Sequence, residues 1–259
     1  MSDQVLIREE NNVLRVAINN PEKKNSLTKE IYEGLIAAFD QAESTPSVRV
    51  LLLESAAEGI FSAGNDMESF LQIKNHDGKS EVPSLTLMKR AALAKKPLIA
   101  AVNGAAIGLG TTLLLSFDLI YASEEARFKT PFVNLGAVPE AGSSRLLQEF
   151  VGRQAAAEML LLGDFISAQR AYEMGLVNKI VPQAELEETA LAAARTIAGR
   201  PPEAVHITKE LMRGDTAPLI ELIEKEMRLF GEQARSPELE EAVMAFLQKR
   251  EPDFSKFWK

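Results

Sequence analysis

The sequence predicts an α/β fold built of strand–strand–helix units and closed by a helical C-terminal segment. Three observations lead there. VRVLLLES (48–55) and PLIAAV (97–102) are continuous apolar runs, as expected of strands covered on both faces. Ahead of both, Ile31, Leu35, Ala38, Phe39 and Ala42 recur at helical spacing. Residues 200–259 show helical patterning and no strong strand signal.

The elements follow in order. VLIREE (5–10) and VLRVAIN (13–19) flank Asn11-Asn12, a pair that tolerates positive φ, so a hairpin is expected. PEKKNS (21–26) is a loop, and Thr28 can cap the helix that carries Ile31 to Ala42. VRVLLLES is the next strand. In GIFSAGNDMESF (59–70), Asn65-x-x-Glu68 has the form of a capping box, so a helix is expected to begin near Asn65 or Asp66. Residues 69–84 are polar and mixed and read as mobile. A helix over 85–94, the strand PLIAAV and the turn NGAAIGLG (103–110) come next. TTLLLSF (111–117) is apolar all round and reads as a core helix. DLIYAS (118–123) and ARFKT (126–130) read as short strands. From 142 onward the pattern is helical, with one brief strand in LVNKIVP (176–182). Ser236-Pro237 supplies an N-cap and an N1 proline for the final helix, whose apolar face is Leu239, Ala242, Val243, Phe246 and Leu247.

Composition narrows the function. Hydrophobic residues make up 46% of the 259 residues and charged residues 25%, ordinary for a soluble globular protein with a full core. A net charge of −8 and a pI of about 5.1 argue against a general nucleic-acid or anionic-membrane surface. A local basic patch for a polyanionic small ligand is still compatible with them. There is no cysteine, which rules out disulfides, thiol nucleophiles and thiolate metal sites. His76 and His206 stand far apart, so neither a histidine metal site nor a histidine triad is expected. No apolar run is long enough to span a bilayer, MSDQVLIREE lacks a signal-peptide profile, and FSKFWK is not the peroxisomal tripeptide. A soluble cytoplasmic protein is expected.

Three stretches carry chemistry. Ala63-Gly64-Asn65-Asp66 leads from a strand toward a helix N-terminus, and Gly108-Leu109-Gly110 opens the apolar helix. Helix starts gather free backbone N–H groups and the positive end of the dipole. Two of them converging on one point form an oxyanion hole; glycines that merely permit tight turns are the plainer reading of either loop alone. NLGAVPEAGSS (134–144) sets one carboxylate, Glu140, on a tight loop bounded by apolar residues. It is either a solvated turn residue or a catalytic base.

NPEKKNSLT (20–28), VRVLLLES, FSAGNDM (61–67), PLIAAVNGAAIGLG (97–110), FDLIYAS (117–123), GAVPEAGSS (136–144) and GLVNKIVP (175–182) occur in the order and spacing of the enoyl-CoA hydratase/isomerase, or crotonase, family. The resemblance covers nearly the whole chain. It implies a crotonase-like spiral of strand–strand–helix units. Residues 1–199 would be the core for acyl-CoA binding and catalysis, and 200–259 a helical segment used in trimerisation, as a trimer or a dimer of trimers. It implies an acyl-CoA substrate and no cofactor beyond the coenzyme A of that substrate. It places the oxyanion donors on Ala63 and Leu109, and the substrate-binding loops on Ser62, Ala63, Gly64, Asn65, Asp66 and Gly108.

The resemblance also implies which reaction is run. The two glutamates that activate water in hydratases of the family fall on Thr112 and Phe132, neither of which can act as a carboxylate base. Hydration is therefore expected to be poor. PEAGSS (139–144) is similar to the single-glutamate loop of the Δ3,Δ2-enoyl-CoA isomerase branch, and FSAGNDM and FKTPFVNLG resemble that branch too. This makes Glu140 the catalytic residue, taking a proton from C2 and returning one at C4. Its neighbours Phe132, Val133, Leu135 and Val138 are expected to raise its pKa. Two other readings stand beside it: another crotonase chemistry, such as thioester hydrolysis or an unusual hydration, and a non-catalytic acyl-CoA-binding subunit. Asp66 reads as a helix cap, Asp118 as a structural hydrogen-bonder, and Glu124 and Glu125 as a solvated loop. Lys23, Lys24, Lys249 and Lys256 are candidates for CoA phosphates and equally for plain surface. The Met and Phe residues of 67–93 read as core rather than as an acyl pocket.

Overall fold

The computed structural model describes residues 3–66 and 82–258. Among the described residues, ten strands form two sheets. In chain order they are β1 (Val5–Glu10), β2 (Val13–Ile18), β3 (Val50–Ser55), β4 (Gly59–Ser62), β5 (Leu98–Val102), β6 (Gly104–Ile107), β7 (Leu119–Ser123), β8 (Arg127–Lys129), β9 (Ile166–Ser167) and β10 (Lys179–Val181). The six-stranded sheet runs β1-β2-β3-β5-β7-β10, and the four-stranded sheet runs β4-β6-β8-β9. Strands β3 to β8 alternate between the sheets, so each turn of the chain lays one strand in each. That alternation is the expected α/β spiral. Only β1–β2 and β8–β9 pair antiparallel.

Local chemistry explains most of the elements. Asn11 and Asn12 take φ of 48° and 65° at the first hairpin. The Thr28 hydroxyl accepts the Ile31 N–H and starts the helix Lys29–Ser44, which buries Ile31, Leu35, Ala38, Phe39 and Ala42. The apolar runs are indeed covered twice. Leu51, Leu53, Leu98 and Ala100 face the main core, while Val50, Leu52, Ile99 and Ala101 pack with the helix Gln183–Ala198. A helix occupies Pro83–Leu93. The capping-box helix expected beyond Asp66 and the stretch read as mobile fall largely on 67–81, outside the described residues.

Three expectations need correction. NGAAIGLG is not simply a turn, because Gly104–Ile107 is strand β6. Its small residues serve close approach: a Cβ on Gly104 would lie 2.1 Å from the Gly59 carbonyl carbon on β4. TTLLLSF is buried as expected, but the helix begins at Leu109 and tightens into a 3₁₀ turn over Leu113–Ser116. Strand β9, with two residues, is too short to show alternation and escaped the sequence reading.

The C-terminal helices Pro202–Arg213, Ala217–Gln233 and Pro237–Leu247 pack back on the chain. Ile223 joins the main core, and Phe230, Ala234, Leu239 and Val243 close over Phe132 and Ala137. Ser236 caps the last helix through the Leu239 N–H. Phe246 and Leu247, expected on its buried face, are 62% and 60% exposed. Among the described residues, no helix is long and apolar enough to cross a membrane.

Candidate active site

Strands β4 and β6 are parallel neighbours with Ser62 opposite Ala106, so the loops leaving their C-terminal ends emerge side by side. The contact is tight enough to demand glycine. A Cβ on Gly64, at φ 80°, would lie 2.5 Å from the Ile107 carbonyl oxygen, and one on Gly110 would lie 2.9 Å from Ser62 Cβ. The structure thus brings together the two junctions singled out in the sequence. Gly108 precedes the helix, and Leu109 is its first residue. The Leu109 N–H is one of the donors that helix geometry leaves without an intrahelical acceptor.

The first loop is clamped by residues 20–28. Leu27 donates its N–H to the Gly64 carbonyl at 2.7 Å. Ser62 Oγ donates to the Asn25 carbonyl at 2.8 Å and accepts the Gly64 N–H at 3.1 Å. Asn25, fully buried, reaches Ser55 Oγ and the Phe61 carbonyl with its amide. Ala63 needs a correction here: its N–H is not free but donates to the Lys24 carbonyl at 3.1 Å. The clamp that orders the loop uses the donor assigned to the hole.

Glu140 is fully buried, which removes the solvated-turn reading. Ala141 and Gly142 follow it with φ of 61° and 71°, two left-handed residues that form a sharp corner. One of its oxygens, Oε1, accepts a long hydrogen bond from Asn65 Nδ2 at 3.5 Å. The other, Oε2, has no partner among the described residues. Burial pushes its pKa up to about 8, with the Asn65 bond opposing and the nearby Glu226 carboxylate adding to the rise. Of the neighbours expected to raise it, Val133 is 39% exposed and Phe132 packs into the C-terminal cluster.

Three residues at this site were not read from the sequence. Tyr32, buried on the first helix, donates its hydroxyl to Asn65 Oδ1. Glu226 holds the Gly142 and Ser144 N–H groups. Asn25 anchors the first loop. Only the capping chemistry of Asn65 had a local signal, and its contact with Glu140 crosses 75 residues of sequence.

The remaining positions have partners of their own. The Thr112 hydroxyl is buried and donates to the Gly108 carbonyl at 3.3 Å. Asp118 is structural, accepting the Leu98 N–H and Lys209 Nζ, each at 2.7 Å. Asp66 lies 3.8 Å from Lys23, and Lys256 pairs with Glu241 at 2.6 Å. Glu124 and Glu125 are exposed. No cluster of possible metal ligands occurs among the described residues. A cavity of about 620 Å³ lined by Arg15, Glu54, Asn103 and Glu187 contains none of the site residues, and its Arg15 is already paired with Glu54 and Glu187.

Comparison with known proteins fits this geometry. A family model described as enoyl-CoA hydratase/isomerase matches residues 8–257. The chain belongs to the enoyl-CoA hydratase/isomerase family. A crystal structure of a family member from Pseudoalteromonas atlantica T6c superposes with a TM-score of 0.91 at 34% identity, covering 97% of this chain and 100% of that one. Enoyl-CoA delta isomerase 2 of Rattus norvegicus is 32% identical over 254 residues, 96% of this chain and 64% of the relative's length. A short-chain-enoyl-CoA hydratase of Clostridium acetobutylicum is also 32% identical, over 250 residues and 96% of each chain. An isomerase and a hydratase thus stand at equal distance. The family makes this chain an acyl-CoA enzyme of crotonase fold and leaves the reaction to the site.

Proposed function

We propose that this protein is a Δ3,Δ2-enoyl-CoA isomerase with Glu140 as its base. One observation carries the reading: a fully buried carboxylate with an unpartnered oxygen among the described residues is tied through Asn65 to the paired glycine loops, while threonine and phenylalanine stand where, by family resemblance, hydration needs carboxylates. Moving a double bond from C3 to C2 consumes no water. Glu140 Oε2 takes the C2 proton, the electron pair delocalises through C3–C4 and the thioester carbonyl, and the proton returns to C4. Negative charge gathers on the thioester oxygen in between, where the Leu109 N–H stabilises it. A base with a pKa of about 8 suits proton transfer near neutral pH.

The test is a product assay. The protein should convert 3-hexenoyl-CoA to trans-2-hexenoyl-CoA, hydrate crotonyl-CoA far more slowly and release no free CoA. Glu140→Gln should lose at least about a thousandfold in kcat while still binding acyl-CoA. Hydration as fast as isomerisation, or near wild-type turnover by Glu140→Gln, would refute the reading.

A further inference from the structure

We propose that Tyr32 and Asn65 are positioning residues that give the two oxygens of Glu140 different tasks: Oε1 holds the carboxyl group, and Oε2 alone carries the proton in both directions. The inference rests on the reading of Glu140 as the base.

The geometry is a three-residue chain. Tyr32, on the helix Lys29–Ser44, donates its hydroxyl to Asn65 Oδ1, and Asn65 Nδ2 donates to Glu140 Oε1 at 3.5 Å. The ionised carboxylate, an acceptor only, requires Nδ2 on its side of the amide, and the Tyr32 hydroxyl, able to donate, holds Oδ1 on the other. Flipping the amide would set Oδ1 against Oε1, two acceptors with no proton between them whenever Glu140 is ionised. Tyr32 thus presents a donor to the base, and Asn65 delivers it. Once Glu140 has taken the C2 proton, Oε1 still accepts from Nδ2. The proton stays on Oε2, which no other group among the described residues engages. Removal at C2 and return at C4 are thereby confined to one oxygen, and leakage of the proton through Oε1 is suppressed. Among the described residues, the titratable groups whose fields reach Glu140 are Tyr32 on the first helix and Glu226 on the helix Ala217–Gln233.

The plainer account makes Asn65 a helix cap and Tyr32 a core residue. Two variants separate them. Tyr32→Phe removes one oxygen and keeps the packing. Asn65→Ser keeps a capping side chain but is too short to reach Glu140. Each is assayed with 3-hexenoyl-CoA deuterated at C2, following kcat, KM, the pH profile and the fraction of label appearing at C4. Tyr32→Phe should lower kcat about tenfold with little change in KM. It should also move the acidic limb of kcat/KM to higher pH and reduce label transfer. Asn65→Ser should do the same more strongly. Folded variants with the wild-type limb and wild-type label transfer would overturn the inference. A parallel Glu140→Gln assay separates the two failures: if that variant is inactive the base reading survives alone, and if it is active the base reading itself has failed.

Discussion

Glu226 Oε2 accepts the Gly142 N–H at 2.6 Å, across 84 residues of sequence. The other oxygen accepts the Ser144 N–H at 3.1 Å and its hydroxyl at 2.5 Å. Gly142 is the N-cap of the helix Ser143–Val151 and brings no side chain to that task. The cap arrives from another helix, and its negative charge suits the dipole there. Because Gly142 lies two residues past Glu140, a C-terminal helix holds the corner that carries Glu140.

Glu226→Gln should therefore have two effects. Loss of a charged acceptor for buried donors should cost about 1–3 kcal/mol, read as a lower urea midpoint. Loss of the negative charge should move the acidic limb of kcat/KM to lower pH, since Glu226 raises the pKa of Glu140. An unchanged midpoint together with an unchanged limb would mean that Glu226 does not support the loop.

Leu109 should act in catalysis through its backbone. Leu109→Ala removes a fully buried side chain and should cost about 2–5 kcal/mol of stability, with a small effect on kcat in the folded enzyme. Leu109→Pro removes the donor and should cost about 3 kcal/mol of transition-state stabilisation, more than a hundredfold in kcat/KM. Proline fits the first helical position, and Gly108, at φ 56° and ψ −124°, is the mirror image of the extended conformation that precedes proline. With circular dichroism and CoA binding intact, wild-type turnover by Leu109→Pro would remove this N–H from the hole.

Stability should fall as pH rises. The folded pKa of Glu140, about 8, lies above the ordinary 4.5. Between those values the folded state binds more protons than the unfolded one, so the group's contribution is present below about 4.5 and lost as pH climbs through about 8. Burial shifts Glu226 and Glu54 in the same direction. Glu140→Gln should flatten the profile and be the more stable protein at pH 8, by an amount on the order of a few kcal/mol. Urea unfolding at pH 5.5 and 8 measures this; equal slopes for both proteins would contradict it.

The exposed side chains of Phe246 and Leu247, with Trp258 at 82% exposure, should be covered by other copies of this chain in a trimer or dimer of trimers. Sedimentation at micromolar concentration should show no monomer, and Phe246→Glu with Leu247→Glu should dissociate the assembly. A wild-type monomer would remove the proposal.

Much was legible in the sequence because it depends on near neighbours. Doubly buried strands show as unbroken apolar runs, Thr28 and Ser236 cap because of where their hydroxyls stand, and Asn11-Asn12 turns because asparagine tolerates positive φ. The presence of Glu140 on its loop, and of non-carboxylate residues at 112 and 132, is likewise plain in the residue order. Tertiary structure decided the rest. It made β4 and β6 neighbours, so that Gly64 meets Ile107, and it turned Glu140 inward. It directed the Ala63 N–H to Lys24, and it brought Tyr32, Asn65 and Glu226 to one carboxyl group. Such contacts join groups tens of residues apart and impose no period on the chain between them. A buried carboxylate has the same letter as a solvated one, and its pKa is set by what the folded chain places over it.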